Sequence, residues 1–157
     1  MDEENASAKR KLLRGSVDFR HYLRPIIVIS AVLCAIWLPL LIMLIVMKKR
    51  DAVIASVVSA VILCVPYITY YVSRCVHLLR DPSRYVFAES TLTDPHIYLN
   101  RAVYFFVSVD DGCGGSVSVE TNAVFGLSSF NSYTNKRALI AYDAADEHAV
   151  VVKIIDK

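Results

Sequence analysis

Cys113 is the side chain whose surroundings first suggest covalent chemistry, since it lies in the glycine-rich segment Asp110–Gly115. A reactive thiolate needs a neighbouring base or positive charge. The charged neighbours of Cys113 in the sequence are instead two aspartates, Asp110 and Asp111, which disfavour a thiolate. The sequence therefore predicts a turn between two strands at this position rather than a catalytic cysteine.

A second polar cluster, Asp143–His148, offers three carboxylates and one imidazole that could bind a cation. It lacks the spaced oxygen ligands and the glycine of a calcium loop, so a solvated turn is expected. His77 and His96 are isolated in the sequence, and none of the common phosphate-binding, hydrolase or zinc-protease motifs occurs. We therefore predict no catalytic, cofactor-binding or metal-binding residue.

Cys75 differs from the other cysteines because it directly follows a long apolar segment and stands beside Arg74. In a eukaryotic host this is a typical position for palmitoylation, and an unmodified thiol is the alternative. Cys34 and Cys64 lie inside apolar segments, where a thiol behaves as a small hydrophobe. The spacing of the cysteines predicts neither a disulfide framework nor a zinc site.

Two apolar segments dominate the first half of the chain. Residues 26–47 and 52–73 each run for 22 residues without a charge, and a helix needs about 20 apolar residues to cross the hydrocarbon core of a bilayer. Only Lys48–Asp51 separates the two segments, which forces an antiparallel hairpin. The sequence predicts an integral, multi-pass membrane protein with a helical hairpin over residues 25–80 that opens at Pro25.

Basic residues are concentrated in the tail that we predict over residues 1–24. They are Lys9, Arg10, Lys11, Arg14, Arg20 and Arg24. Such residues either contact anionic lipid headgroups or set the orientation of the helices. The count of positive residues near the ends of the spans predicts that both termini are cytoplasmic, with only the Lys48–Asp51 loop on the other side.

Small residues recur at four-residue spacing in both apolar segments, which places them on one face of each helix. They are Ala31 and Ala35 in the first segment, and Ala52, Ser56 and Ala60 in the second. This face would let two backbones approach closely, although alanine is also common in such helices. Neither segment contains an ionisable Asp, Glu, Lys, Arg or His, the usual mark of an ion or proton pathway.

From Tyr85 onward the sequence changes to the two-residue alternation that is typical of half-buried strands. We predict strands near residues 85–92, 102–109, 116–121, 138–142 and 149–155, which form a small all-β domain with a five-stranded, barrel-like fold over residues 85–157. This part of the chain has 5 Lys/Arg against 9 Asp/Glu, a net charge of −4. Nucleic acid is therefore not expected as a partner.

About 55 residues at the end of the chain resemble the C-terminal part of a family of uncharacterised small membrane proteins, mostly bacterial. The matching segments are Val103–Phe105 as an aromatic-rich strand, Gly114-Gly115 as a glycine turn, and Ala138–Asp143 as a strand that ends in Tyr-Asp. The family usually has proline where this chain has Ala144, and glycine where it has Asn135-Lys136. The resemblance implies a compact β-domain and no known reaction.

This layout favours a membrane-anchored, non-enzymatic β-module that binds or scaffolds a partner protein. The expected partners are the lipid bilayer and a membrane or cytoplasmic protein, and no cofactor is expected. The alternative is an oligomeric, channel-like or structural membrane assembly, in which the small-residue faces pack between copies of the chain. A membrane-tethered enzyme is the third hypothesis.

Overall fold

The computed structural model describes residues 2–98, 102–110, 115–143, 145 and 148–156. The chain divides into two compact units. The sheet unit comprises Met1–His21 together with Leu78–Lys157, and the helical unit comprises Tyr22–His77. The predicted layout, with two long apolar helices followed by a β-domain, is confirmed.

Helices precede strands along most of the chain. The helices are α1 (Asp2–Arg14), α2 (Val17–Val32), a π-helical turn (Leu33–Trp37), α3 (Leu38–Val46), α4 (Arg50–Arg80), a 3₁₀ turn (Pro82–Arg84) and the short α5 (Ser129–Ser132). The strands are β1 (Val86–Thr91), β2 (Thr93–Ile97), β3 (Val103–Asp110), β4 (Ser116–Thr121), β5 (Arg137–Tyr142) and β6 (His148–Ile154).

Two continuous helices are long and apolar enough to cross a membrane: Val17–Val46, with 30 residues, and Arg50–Arg80, with 31. The first begins earlier than predicted. The Ser16 hydroxyl accepts a hydrogen bond from the backbone N–H of Phe19 (3.0 Å), the usual contact of a helix N-cap. Pro25 therefore lies inside the helix instead of opening it.

In the helical unit, one face of each helix is half-buried while the remaining surface is exposed. On the first helix the half-buried residues are Ile26, Ile29, Leu33, Trp37, Leu41 and Leu44; on α4 they are Val53, Ser56, Ala60, Cys64, Ile68 and Tyr71. Spacings of three and four residues put each set on one face. The indole N–H of Trp37 donates to the Ser56 hydroxyl (3.0 Å) between the two faces.

β1 and β2 are consecutive in sequence but lie at opposite edges of the sheet. The strand order is β1-β5-β6-β4-β3-β2, with β4 and β6 parallel and all other neighbours antiparallel. Because only Leu92 separates β1 from β2, the two edges must approach each other, and the sheet curls into a half-barrel. The backbone N–H of Ser108 donates to the Ser90 hydroxyl (3.0 Å), which links β3 to β1.

The described part of the chain has six strands rather than the predicted five. Five of them lie within one residue of the predicted bounds, and β2 is the strand that the sequence pattern missed. β2 contains Pro95, and its register shifts between Thr93 and His96. Proline is rare in strands but is tolerated at edges and bulges, which is its position here.

The core of the sheet unit includes residues that precede the β-domain. Tyr85, Val150 and Val152 pack with Leu13 of α1 and Leu78 at the end of α4. Leu13 has no exposed surface.

The N-terminal segment differs from the polar tail that the sequence predicted over residues 1–24. Residues 1–21 belong to the sheet unit, and residues 2–14 form α1. A single short helix with so few apolar residues is not stable alone in water, so its order depends on packing against the sheet.

Candidate functional site

The outer face of β3 carries aromatic side chains where a strand of a soluble domain usually carries polar ones. Val103, Phe105 and Val107 point inward and are buried, whereas Tyr104 and Phe106 point outward and are half-buried. This follows from the alternation of side chains along a strand. The outer face of β3 is therefore the first candidate for binding.

A bulge in β2 brings His96 onto the same face. Thr93 pairs with Phe106 and His96 pairs with Tyr104, so three steps along β2 match two steps along β3. The extra residue lies at Asp94-Pro95, where Asp94 has a φ of 46°. Without the bulge, residues 93 and 96 would point to opposite faces. The bulge thus directs the imidazole toward Tyr104.

The three rings form a contiguous aromatic surface, which we define as His96, Tyr104 and Phe106. The His96 and Tyr104 rings are stacked at 5.5 Å between centroids with an 18° interplanar angle. The Phe106 ring meets His96 edge-on at 5.5 Å and Tyr104 at 5.9 Å. Such pairs hold the rings in fixed orientations. A partner would therefore meet a preformed surface.

Polar groups surround the aromatic surface. His96 Nε2 lies 3.0 Å from Asp94 Oδ2, and both side chains are exposed. Glu120 of β4 pairs with Phe106 in the sheet register, so its side chain lies beside that ring. An apolar centre with a polar rim is the usual composition of a protein interface.

The aromatic surface does not resemble a catalytic or metal centre. In the part of the chain that the structure describes, no three or more His, Cys, Asp or Glu side chains come close enough together to hold a metal ion. His96 and Asp94 form a pair, but the aromatic surface contains no serine or cysteine that this pair could activate as a nucleophile. The chemistry that these groups offer is contact and hydrogen bonding.

Asp18 is the most unusual polar residue of the sheet unit, because it is fully buried. Its Oδ1 accepts from the backbone N–H of Val151 (3.0 Å), and its Oδ2 accepts from the side-chain amide of Asn122 (2.7 Å). The parallel pairing of β4 with β6 ends at Thr121 and Ala149. The carboxylate thus provides an acceptor for an N–H of β6 just beyond the point where that ladder stops.

Burial raises the pKa of Asp18 from 3.8 to about 7, although the hydrogen bonds from Asn122 and Val151 oppose the shift. Because Asp18 is enclosed, it has no access to a substrate, so its role is structural. It fixes the first turn of α2 to the sheet. No local sequence pattern predicts this contact, since Asp18 and Val151 are 133 residues apart.

Arg84 and Asp143 form an ion pair at the start of the sheet. Arg84 Nε lies 3.2 Å from Asp143 Oδ2, and the side chains are 25% and 10% exposed. The guanidinium also lies over the Tyr85 ring, 4.9 Å from its centroid. Asp143 is therefore buried and paired rather than solvated. Asp146, Glu147 and Cys113, which the sequence assigned to turns, lie outside the described residues.

The six predicted lipid-interface residues have different surroundings. Lys9 Nζ donates to the carbonyl oxygens of Tyr85 (3.0 Å) and Ser83 (3.4 Å). Arg20 donates from Nε and Nη2 to the carbonyl oxygen of Gly15 (3.2 and 2.8 Å). The remaining four are exposed: Arg10, Lys11, Arg14 and Arg24. Contact with lipid stays a prediction for all six.

The predicted helix-packing residues fall into two groups. Ser56 and Ala60 belong to the half-buried face of α4. Ala31, Ala35 and Ala52 are exposed, so they are not part of the contact between the two helices. Close packing of these three residues against another chain stays a prediction.

The aromatic surface was not predicted, because His96 is isolated from other histidines and from the two aromatic residues in the sequence. A usable signal was the presence of Tyr104 and Phe106 in the outward phase of the predicted strand.

The segments that carry the family resemblance, Val103–Phe105 and Ala138–Asp143, lie in β3 and at β5. That resemblance stays a prediction, because comparison of the chain with protein-family models, curated proteins and solved structures finds no match.

Proposed function

We propose that the chain is an integral membrane protein whose helical unit anchors the sheet unit, and that the sheet unit is a non-enzymatic module that binds a partner protein. The observation that carries the second part is the preformed aromatic surface of His96, Tyr104 and Phe106. The resemblance to small membrane proteins with a C-terminal β-domain is consistent with this proposal.

The exposed surface of the helical unit supports the anchor. Ile36, Val46 and Leu63 are 66%, 75% and 73% exposed, and an aliphatic surface of this extent is unfavourable in water. Near the end of the second apolar segment, residues 52–73, the Tyr67 and Tyr70 rings lie 4.8 and 5.2 Å from Tyr71. Tyrosine clusters of this kind are typical of the membrane–water interface.

The aromatic surface supports docking through side chains rather than through added strands. β2 is an edge strand, but Pro95 lacks an N–H and the bulge interrupts the regular ladder. These features disfavour pairing of β2 with a strand from another chain. Aromatic side chains, in contrast, are enriched at the centres of protein interfaces.

A photo-crosslinking experiment in native membranes tests the partner proposal. Tyr104 is replaced by a benzophenone-bearing phenylalanine analogue, and Lys153, exposed on β6, receives the same replacement as a control. We expect a discrete crosslinked product from position 104 that is absent from position 153. The substitutions His96→Ala and Phe106→Ala should abolish it. Equal crosslinking from both positions, or none from either, would contradict the proposal.

An oligomeric membrane assembly is the second candidate. It is favoured by the exposure of Ala31, Ala35 and Ala52, whose small side chains permit a close approach by a second copy. Native mass spectrometry in detergent separates the two candidates. A closed ring that Ala31→Leu and Ala35→Leu disrupt would support the assembly, whereas a monomer would support the tethered module.

A further inference from the structure

The turn between α3 and α4 borders an open cavity of about 410 Å³. The cavity is lined by Ile45, Lys48, Lys49, Arg50, Val53 and Ile54. Its walls are almost wholly apolar, although half of the lining residues are cationic. Long basic side chains can line an apolar cavity, because their methylene stems lie along the apolar surface and the charged group stays at its edge.

The backbone conformation of the turn is defined by two hydrogen bonds that end α3. The backbone N–H of Lys49 donates to the carbonyl of Leu44 (3.1 Å), and that of Lys48 donates to Ile45 (3.0 Å). These two bonds define a helix-ending motif whose left-handed residue is usually glycine. Here it is Lys48, with a φ of 54°. A cationic side chain therefore occupies a backbone position at which glycine would be less strained.

Charge at the turn favours an anion. Lys48, Lys49 and Arg50 face a single nearby carboxylate in the sequence, Asp51, which leaves a local net charge of +2. The first turn of α4 adds a partial positive charge, because its leading N–H groups have no partner within the helix. Three cations and a helix N-terminus are well suited to a phosphate group.

We propose that this cavity binds one anionic phospholipid, with its phosphate among Lys48, Lys49 and Arg50 and an acyl chain along Ile45, Val53 and Ile54. The inference rests on the proposed membrane anchor. The apolar walls favour a lipid over free phosphate, since Ile45, Val53 and Ile54 match a hydrocarbon chain and add no contact for a small anion. Basic groups at the edge of an apolar wall match the two parts of such a lipid, its charged headgroup and its acyl chain.

Native mass spectrometry of the full chain in detergent tests the proposal with defined probes. Dioleoyl phosphatidylglycerol, dioleoyl phosphatidylcholine and glycerol phosphate are titrated separately. We expect one phosphatidylglycerol per chain, bound at least about tenfold more tightly than phosphatidylcholine. Glycerol phosphate should not displace it. Displacement by glycerol phosphate would show a soluble-anion site and overturn the lipid assignment.

Two kinds of variant test the two halves of the site. The combined substitutions K48Q, K49Q and R50Q should weaken phosphatidylglycerol binding by at least about tenfold. Val53→Trp, which fills the cavity without changing the charge, should also weaken it. The matched control is R10Q, K11Q and R14Q, which removes three exposed cations of α1 and should leave the bound lipid in place. Loss of binding in the control but not in the turn variants would overturn the proposal.

Alkaline carbonate extraction of the same chain separates this inference from the proposed anchor. A chain that resists extraction and binds no phosphatidylglycerol is anchored but has no lipid site, which overturns only the inference. A chain that carbonate releases from membranes is not anchored, and both proposals then fail.

Discussion

The two units contain the same kinds of aliphatic residue, but the sheet unit buries many of them and the helical unit exposes most of them. In the sheet unit, Val103 and Ile140 have no exposed surface. In the helical unit, Ile36 is 66% exposed and Leu63 is 73% exposed. Fully burying such a side chain is worth about 1.5–3 kcal/mol in water, so the two arrangements cannot both be favourable in the same solvent.

The difference is what the proposed membrane anchor would produce, with the sheet unit in water and the helical unit in lipid. The sheet unit largely follows the rule for water, because most of its large aliphatic side chains lie on the buried inner face, although Val86, Ile97 and Val117 are exposed. The helical unit presents its aliphatic side chains outward and keeps Ser56 against Trp37 between the helices. A surrounding of lipid acyl chains makes that arrangement favourable, because backbone hydrogen bonds are satisfied within each helix.

The largest effect should come from opening the core of the sheet unit. Phe105 has no exposed surface and meets the Phe125 ring edge-on at 5.3 Å. Phe105→Ala should cost about 3–5 kcal/mol and unfold the sheet unit. Its matched control is Phe106→Ala on the outer face of the same strand, which should cost about 1 kcal/mol or less. Thermal unfolding of the full chain in detergent, followed by circular dichroism, measures both. Equal losses of stability in the two variants would contradict the assignment of Phe105 to the buried face of β3 and Phe106 to its outer face.

A slightly smaller effect should come from the N-terminal helix. Leu13 is fully buried, whereas its neighbour Leu12 is 45% exposed. Leu13→Ala should destabilise the sheet unit by about 2–5 kcal/mol, and Leu12→Ala should change its stability by about 0.5 kcal/mol or less. Limited proteolysis of the full chain across a urea series compares the two. If Leu13→Ala has no effect, α1 is not part of the sheet unit, and the prediction of a polar tail over residues 1–24 is correct.

A third effect should be a pH dependence of the sheet unit that comes from Asp18. Its folded pKa of about 7 lies above the ordinary value of 3.8. Between these values the folded state holds a proton that the unfolded state has lost. Stability should therefore fall as pH rises from about 4 to about 7, by at most ~1.4 kcal/mol per pH unit.

Asp18→Asn removes the titrating group and should flatten that slope. The Asn122 amide can rotate to present its oxygen to the new amide. Asp94→Asn, at an exposed position, is the control and should keep the slope. Urea unfolding at pH 5 and pH 7 gives the comparison. A D18N chain with the full slope would show that another group binds the proton.

Features with a regular period were accessible from the sequence. The apolar segments predicted two long helices because each runs for 22 residues without a charge. The alternation of Val103, Phe105 and Val107 predicted β3 and its inward face. In both cases neighbouring residues alone determine the pattern.

Features that depend on one irregular residue or on distant contacts were not accessible. The bulge at Asp94-Pro95 interrupts the alternation that would have predicted β2, and it directs His96 toward Tyr104. Asp18 acquires its role only from Asn122 and Val151, which lie more than 100 residues away. No local pattern encodes such contacts, and the candidate site therefore emerged only from the structure.

The central proposal, that the two helices cross a membrane, is tested most directly by cysteine labelling, which also tests the predicted cytoplasmic position of both termini. In a chain whose four cysteines are replaced by serine, K49C probes the turn between α3 and α4, and K153C probes an exposed position of β6. Each variant is treated with a membrane-impermeant maleimide in intact bacterial cells that express it. The account predicts that K49C is labelled in intact cells, whereas K153C is labelled only after the membrane is opened. Labelling of K153C but not K49C in intact cells would reverse the orientation, and the same labelling at both positions would contradict the crossing itself.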